Sequence, residues 1–147
     1  MTPPVSAPPM DLHAALRCDL PALLSAGLPG LMAIVHFGST AGAAPQVHRD
    51  SDVDLAVLGA GKFDPELLLR LAGECEAILG TAVDLVDLRA ADTVFAMQIL
   101  GSGQLLLDLA PPAFARFENR RCSEYHAFNE ERRELLADIA ARGNVYG

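Results

Sequence analysis

Hydrophobic positions along the chain follow two rhythms. "LMAIVHF" from Leu31, "VDLAVL" from Val53 and "AVDLVDL" from Ala82 are short apolar runs bounded by glycine or turn residues, the form of strands. "QLLLDL" from Gln104 reads as a shorter fourth. Between them the spacing turns helical. "DPELLLRLAGECEAILG" predicts a helix with Asp64 as its N-cap, Pro65 at its first position and Gly80 as its stop. "DTVFAMQILGSG" predicts a short helix, and from Pro112 to about Arg142 the positions Phe114, Phe117, Tyr125, Phe128, Leu135 and Ile139 recur as on one long amphipathic helix. Near the start, "DLHAALRCDLPALLSAG" is helical but interrupted by Pro21, which predicts two pieces with Asp19 capping the second. Strands alternating with helices imply an α/β-like alternation in an α+β domain with a small mixed sheet.

Polar residues break this pattern at one place. In "HFGSTAGAAPQVHRDSDVDLAVL", Val53, Leu55 and Val57 form one face of a strand, and Asp52 and Asp54 fall together on the other because side chains alternate. Like charges side by side repel, so a compensating charge is expected there. Gly38 and Ser39 follow the preceding strand and precede a small-residue segment expected to turn into a helix, a place where backbone N–H groups meet phosphate oxygens. Glycine lets the backbone approach closely, and the serine hydroxyl adds a donor. One or two Mg²⁺ ions shared by Asp52 and Asp54 would offset the repulsion and take triphosphate oxygens at their remaining positions. Asp84, on the next strand, is the best third carboxylate. Its rival Asp87 lies at the opposite strand parity.

Composition narrows the setting. The 147 residues are 51% hydrophobic, enough for one globular domain with a real core. No apolar run approaches the roughly 18–20 residues of a membrane span, and "MTPPVSAPPM" has neither the basic nor the long apolar region of a secretory signal. Residues 1–10 read as a flexible lead, 11–110 as the main domain and 111–147 as the long helix packed on that domain, on a partner, or on both. Cys18, Cys75 and Cys122 are too scattered for a zinc site or a disulfide framework, which favours a reducing cytoplasm. Of the 19 acidic and 11 basic residues, thirteen and five lie up to Ala110, and six of each follow. An acidic first segment without a basic stripe argues against bulk nucleic-acid binding and suits a basic protein partner.

On these residues the chain resembles the nucleotidyltransferases of the DNA polymerase beta superfamily, and among them the minimal MNT-type domains. That family's pattern is a Gly-Ser pair, a spacer, Asp-x-Asp and a later lone Asp, matched here by Gly38, Ser39, Asp52, Asp54 and Asp84. "RDSDVDLAVL" is similar to its R-x-S-D-x-D-L strand, and "IAARGNVYG" resembles the end of its MntA-like antitoxin branch. Twelve residues separate Ser39 from Asp52, where the branch commonly has about ten; the extra length falls in "GAAPQVH". The resemblance implies the polymerase-beta-type fold and a type VII toxin–antitoxin role, in which Mg²⁺ and ATP serve transfer of AMP to a tyrosine hydroxyl of a partner HEPN ribonuclease toxin. Gly38 and Ser39 would then hold the triphosphate, Asp52 and Asp54 the metals, and Asp84 one metal while helping to deprotonate the attacking hydroxyl. ATP over other nucleotides rests on the resemblance alone. Rival readings are a non-catalytic antitoxin acting by occlusion and an adenylyltransferase for a small molecule such as an aminoglycoside; the expected assembly is a homo-oligomer or a hetero-oligomer with the toxin. Arg49 reads equally as a phosphate contact or a solvated loop residue, His36 and His48 as structural or exposed, and "RRCSEYH" as a chance match to the R-x4-6-H motif of HEPN ribonucleases.

Overall fold

The computed structural model describes residues 14–38 and 52–143. The flexible lead expected over residues 1–10, the helix expected after Ser39, and Ser39, His48 and Arg49 lie outside the described residues.

The first helix is continuous rather than broken at its proline. A π-helical turn over Ala15–Asp19 runs directly into α1 (Leu20–Gly27). The Leu20 N–H reaches back five residues to the Ala15 carbonyl, and this widened turn sits just where the Pro21 ring would crowd the preceding carbonyls. Asp19 is therefore not a cap: its backbone is helical (φ −71°, ψ −47°) and its side chain makes no capping bond. The wider turn does what a helix break would otherwise have to do.

Four strands follow the expected runs: β1 (Leu31–Phe37), β2 (Val53–Gly59), β3 (Val83–Asp87) and β4 (Gln104–Asp108). They form one mixed sheet in the order β3-β2-β1-β4, with β1 antiparallel to β2 and to β4, and β2 parallel to β3. A parallel pair needs a crossover. α2 (Pro65–Leu79) supplies it, with Asp64 accepting from the Glu66 N–H at 3.0 Å and Gly80 closing it at φ 71°. α3 (Thr93–Ser102) begins with Asp92 accepting from the Phe95 N–H at 2.7 Å and crosses from β3 to β4. α4 (Pro111–Ala141) is the long helix.

The two central strands are covered on both sides. Ile34, Val53, Leu55 and Val57 meet the leucines of α1 and α2, while Ala33, Val35, Ala56 and Leu58 meet Ala96 and Ile99 of α3 and Phe117 of α4. The face of β2 that begins with two aspartates thus runs on into buried core rather than into solvent.

α4 does not share its stripe evenly. Its 31 residues span about 46 Å at 1.5 Å per residue, yet Phe117 alone is buried, with Phe114 packed beside the same cluster. Arg121 fastens this stretch by donating to the carbonyls of Leu88 (3.4 Å) and Arg89 (3.2 Å), and the guanidinium groups of Arg89 and Arg121 lie over the Phe117 ring at 5.4 and 5.3 Å. Arg121 in "RRCSEYH" therefore serves the fold. From Glu130 to Gly143 every residue is exposed. The periodicity of the stripe is helical throughout, but only its first half meets the body.

Candidate active site

β1 ends at Phe37 and the chain turns at Gly38 with φ +83°, a left-handed conformation that glycine adopts without strain. A second reason for glycine is steric. A Cβ at this position would collide with the Asp54 carboxylate, so the backbone of Gly38 lies directly against that side chain. In the sheet register Asp54 pairs with Phe37 on one side and with Asp84 on the other. Strand partners project to the same face, so Asp54 and Asp84 stand side by side, about 4.8 Å apart between strands. Asp52, exposed, immediately precedes β2.

The electrostatics of the cluster are unbalanced. The pKa of Asp54 is raised above the ordinary carboxylate value, first by burial, then by the charge of Asp84, then by that of Asp52. Such a group gains from a nearby cation. Among the described residues no three His, Cys, Asp or Glu side chains close into a metal shell of their own. Mg²⁺ does not require one: it is commonly held by one or two carboxylates, with water and substrate phosphates completing its octahedron. Hard oxygen donors with no ion-pair partner among the described residues, beside a glycine turn, fit that ion.

Asp87 stands apart from this group. It is 7% exposed and accepts from the backbone N–H groups of Phe63 (2.8 Å) and Arg89 (2.9 Å), which ties the loop before α2 to the turn after β3. His36 pairs with Leu55, at the strand parity opposite to Asp54, and burial lowers its pKa. An open groove of about 330 Å³ runs between α2 and β3, and Leu68, Leu69, Val83, Asp84 and Leu85 are among the residues that line it.

Sequence reasoning overlooked one feature. The ring of Phe37, the register partner of Asp54, meets that of Phe95 edge to face, their centroids 6.0 Å apart. Phe37 could have been noticed as the residue before the Gly-Ser pair. Phe95 carries no local signal, since only the path of α3 across the sheet brings it there.

Residues 26–111 match the family model described as "Polymerase beta, Nucleotidyltransferase". Among curated proteins, the chain is 34% identical over 119 residues to the protein adenylyltransferase MntA of Shewanella oneidensis, covering 81% of this chain and 84% of that one. Among solved structures it resembles a chain of a toxin–antitoxin complex with AMP-PNP at TM-score 0.71 and 33% identity, covering 82% of this chain and 95% of the other. It also resembles a chain of the complex of tri-AMPylated Shewanella oneidensis HEPN toxin with its MNT antitoxin at TM-score 0.70 and 29% identity, covering 88% and 99%.

Proposed function

The chain belongs to the polymerase beta nucleotidyltransferase family, and from that premise we propose that it is a Mg²⁺-dependent protein adenylyltransferase acting as the antitoxin of a HEPN ribonuclease toxin. The observation that carries the reading is the placement of Asp54, packed against the Gly38 backbone on one side and in register with Asp84 on the other. Phosphate oxygens are received at Gly38 and Ser39. Asp52 and Asp54 would hold Mg²⁺, which when bound would supply charge neutralisation for the triphosphate and help to orient the displacement. Asp84 takes the proton of the attacking tyrosine hydroxyl. The new bond joins that oxygen to the α-phosphorus, the bond from the α-phosphorus to the bridging oxygen breaks, and pyrophosphate leaves. No helix among the described residues is long and apolar enough to cross a membrane, in keeping with a cytoplasmic site of action.

The test is incubation of the protein with Mg²⁺, ATP labelled in the α-phosphate and a candidate HEPN partner protein. Label should move to a tyrosine of that protein and its ribonuclease activity should fall. Neutralisation without any transfer of label would instead support occlusion.

The second half of α4 is the surface proposed for partner binding. Phe128, Leu135, Leu136 and Ile139 are exposed there, Leu135 by 59%, on a stretch with four acidic and two basic residues between Phe128 and Ile139. Truncation near Pro111 would remove Phe117 from the core. A sharper variant is Leu135→Gln/Leu136→Gln/Ile139→Gln, which should weaken co-purification with the toxin at least tenfold and leave ATP affinity and thermal stability close to wild type.

A further inference from the structure

The rings of Phe37 and Phe95 occupy a defined place relative to the carboxylates. Phe37 is the register partner of Asp54, so both side chains rise from the same face of the sheet. Phe95 extends this aromatic surface at 6.0 Å between centroids and remains 37% exposed, with its backbone pinned by the Asp92 cap. Its neighbour Ala96 is fully buried against β1 and β2, so the helix that carries the ring is anchored. A rigid, half-open aromatic ring beside a phosphate-binding turn is suited to stacking a planar ligand.

We propose that Phe95, backed by Phe37, is the platform on which the purine base of the nucleotide stacks. The inference rests on the nucleotidyltransferase reading and adds the specificity element. The order of the strands says which substrate meets the ring. Asp84 lies on the β3 side of Asp54, where the acceptor hydroxyl must be deprotonated, whereas Phe37 lies on the β1 side and directly precedes Gly38. The nucleobase, tethered through the ribose to phosphates at Gly38, falls on the β1 side. Stacking rewards ring area and not a hydrogen-bond pattern, so the platform prefers purines to pyrimidines and separates adenine from guanine only weakly.

The chain contains no tryptophan, which makes the experiment direct. Dissociation constants for ATP, GTP, CTP and tripolyphosphate are measured with Mg²⁺ on the full-length wild type and on Phe95→Ala and Phe95→Trp. Phe95→Ala should weaken ATP and GTP about tenfold, bringing them toward CTP, and leave tripolyphosphate and the melting temperature unchanged. Phe95→Trp should retain ATP affinity, and its indole fluorescence should be quenched by ATP and GTP more than by CTP. The platform is overturned if Phe95→Ala binds ATP as wild type does, if tripolyphosphate weakens in parallel, or if only labelling of the protein acceptor falls. A wild type that binds neither ATP nor tripolyphosphate overturns the nucleotidyltransferase reading and the platform with it.

Discussion

β3 carries two aspartates three positions apart, and the molecule treats them in opposite ways. Asp87 is buried, and its two oxygens each receive a backbone N–H, so its charge is used up in holding the loop before α2 and the turn after β3. Asp84 is exposed, receives no hydrogen bond from any described residue, and faces Asp54 across the sheet register. A carboxylate that serves the fold is surrounded by donors. One kept for a ligand is surrounded by other carboxylates, and the fold around it carries the repulsion. Removal of the two kinds should therefore have opposite consequences, which makes the contrast open to experiment.

The largest effect is expected on chemistry. Asp52→Asn, Asp54→Asn or Asp84→Asn should each lower AMP transfer by on the order of 100- to 1,000-fold, since each takes away metal-binding charge or the proton acceptor. The fold should be retained, because no described hydrogen bond depends on any of the three. Single-turnover transfer with saturating ATP, read alongside circular dichroism, checks both halves of the statement. A variant of any one of them that transfers at the wild-type rate would remove that residue from the proposed site.

The next effect is expected on stability. Asp87→Ala leaves the Phe63 and Arg89 N–H groups without their partner in a partly buried setting, at about 1–3 kcal/mol for each donor that water does not recover. A loss of roughly 2–4 kcal/mol should appear in urea unfolding, with transfer per folded molecule little altered. Asp87→Asn retains a single carbonyl acceptor and should fall between the two. If Asp87→Ala lost activity without losing stability, the two aspartates would be less different than their surroundings indicate.

How much of this was legible beforehand depends on the range of the interaction. Asp64, Pro65 and Gly80 set the ends of α2 through contacts within a few residues, and the alternation in "VDLAVL" places Asp54 on its face, so these features follow from local spacing. The path of the helix at Pro21 did not, because a proline signals a disturbed turn without saying whether the helix breaks or widens. The split of α4 was equally hidden. Phe117 and Leu135 have the same helical periodicity, and only the length of the sheet decides which of them finds a neighbour. Asp84 and Asp87 could be separated by parity, but the donors that occupy Asp87 come from Phe63 and Arg89, whose approach depends on the tertiary fold. Phe95 is the extreme case, brought against Phe37 by an entire helix crossing.

The smallest effect is the most discriminating, because its sign is unusual. Burial and the charges of Asp84 and Asp52 hold the Asp54 pKa above the ordinary carboxylate value, so the folded chain ionises this group less readily than the unfolded chain does. Above the raised pKa the ionised carboxylate therefore destabilises the fold. The penalty is relieved as the pH falls through that value, because the native state takes up the proton first. Asp54→Asn should consequently melt above wild type at pH 7.5 in metal-free buffer, by about 1–3 °C since solvent screens much of the repulsion, and the difference should close toward pH 4. His36 has the reverse dependence: burial lowers its pKa, so its contribution is complete above about pH 6.5 and is lost on acidification. Both chains carry His36, so the comparison between them cancels it. Added Mg²⁺ should then raise the melting temperature of wild type and leave the variant nearly still, reversing their order. A destabilised Asp54→Asn in metal-free buffer would mean that Asp54, like Asp87, belongs to the fold.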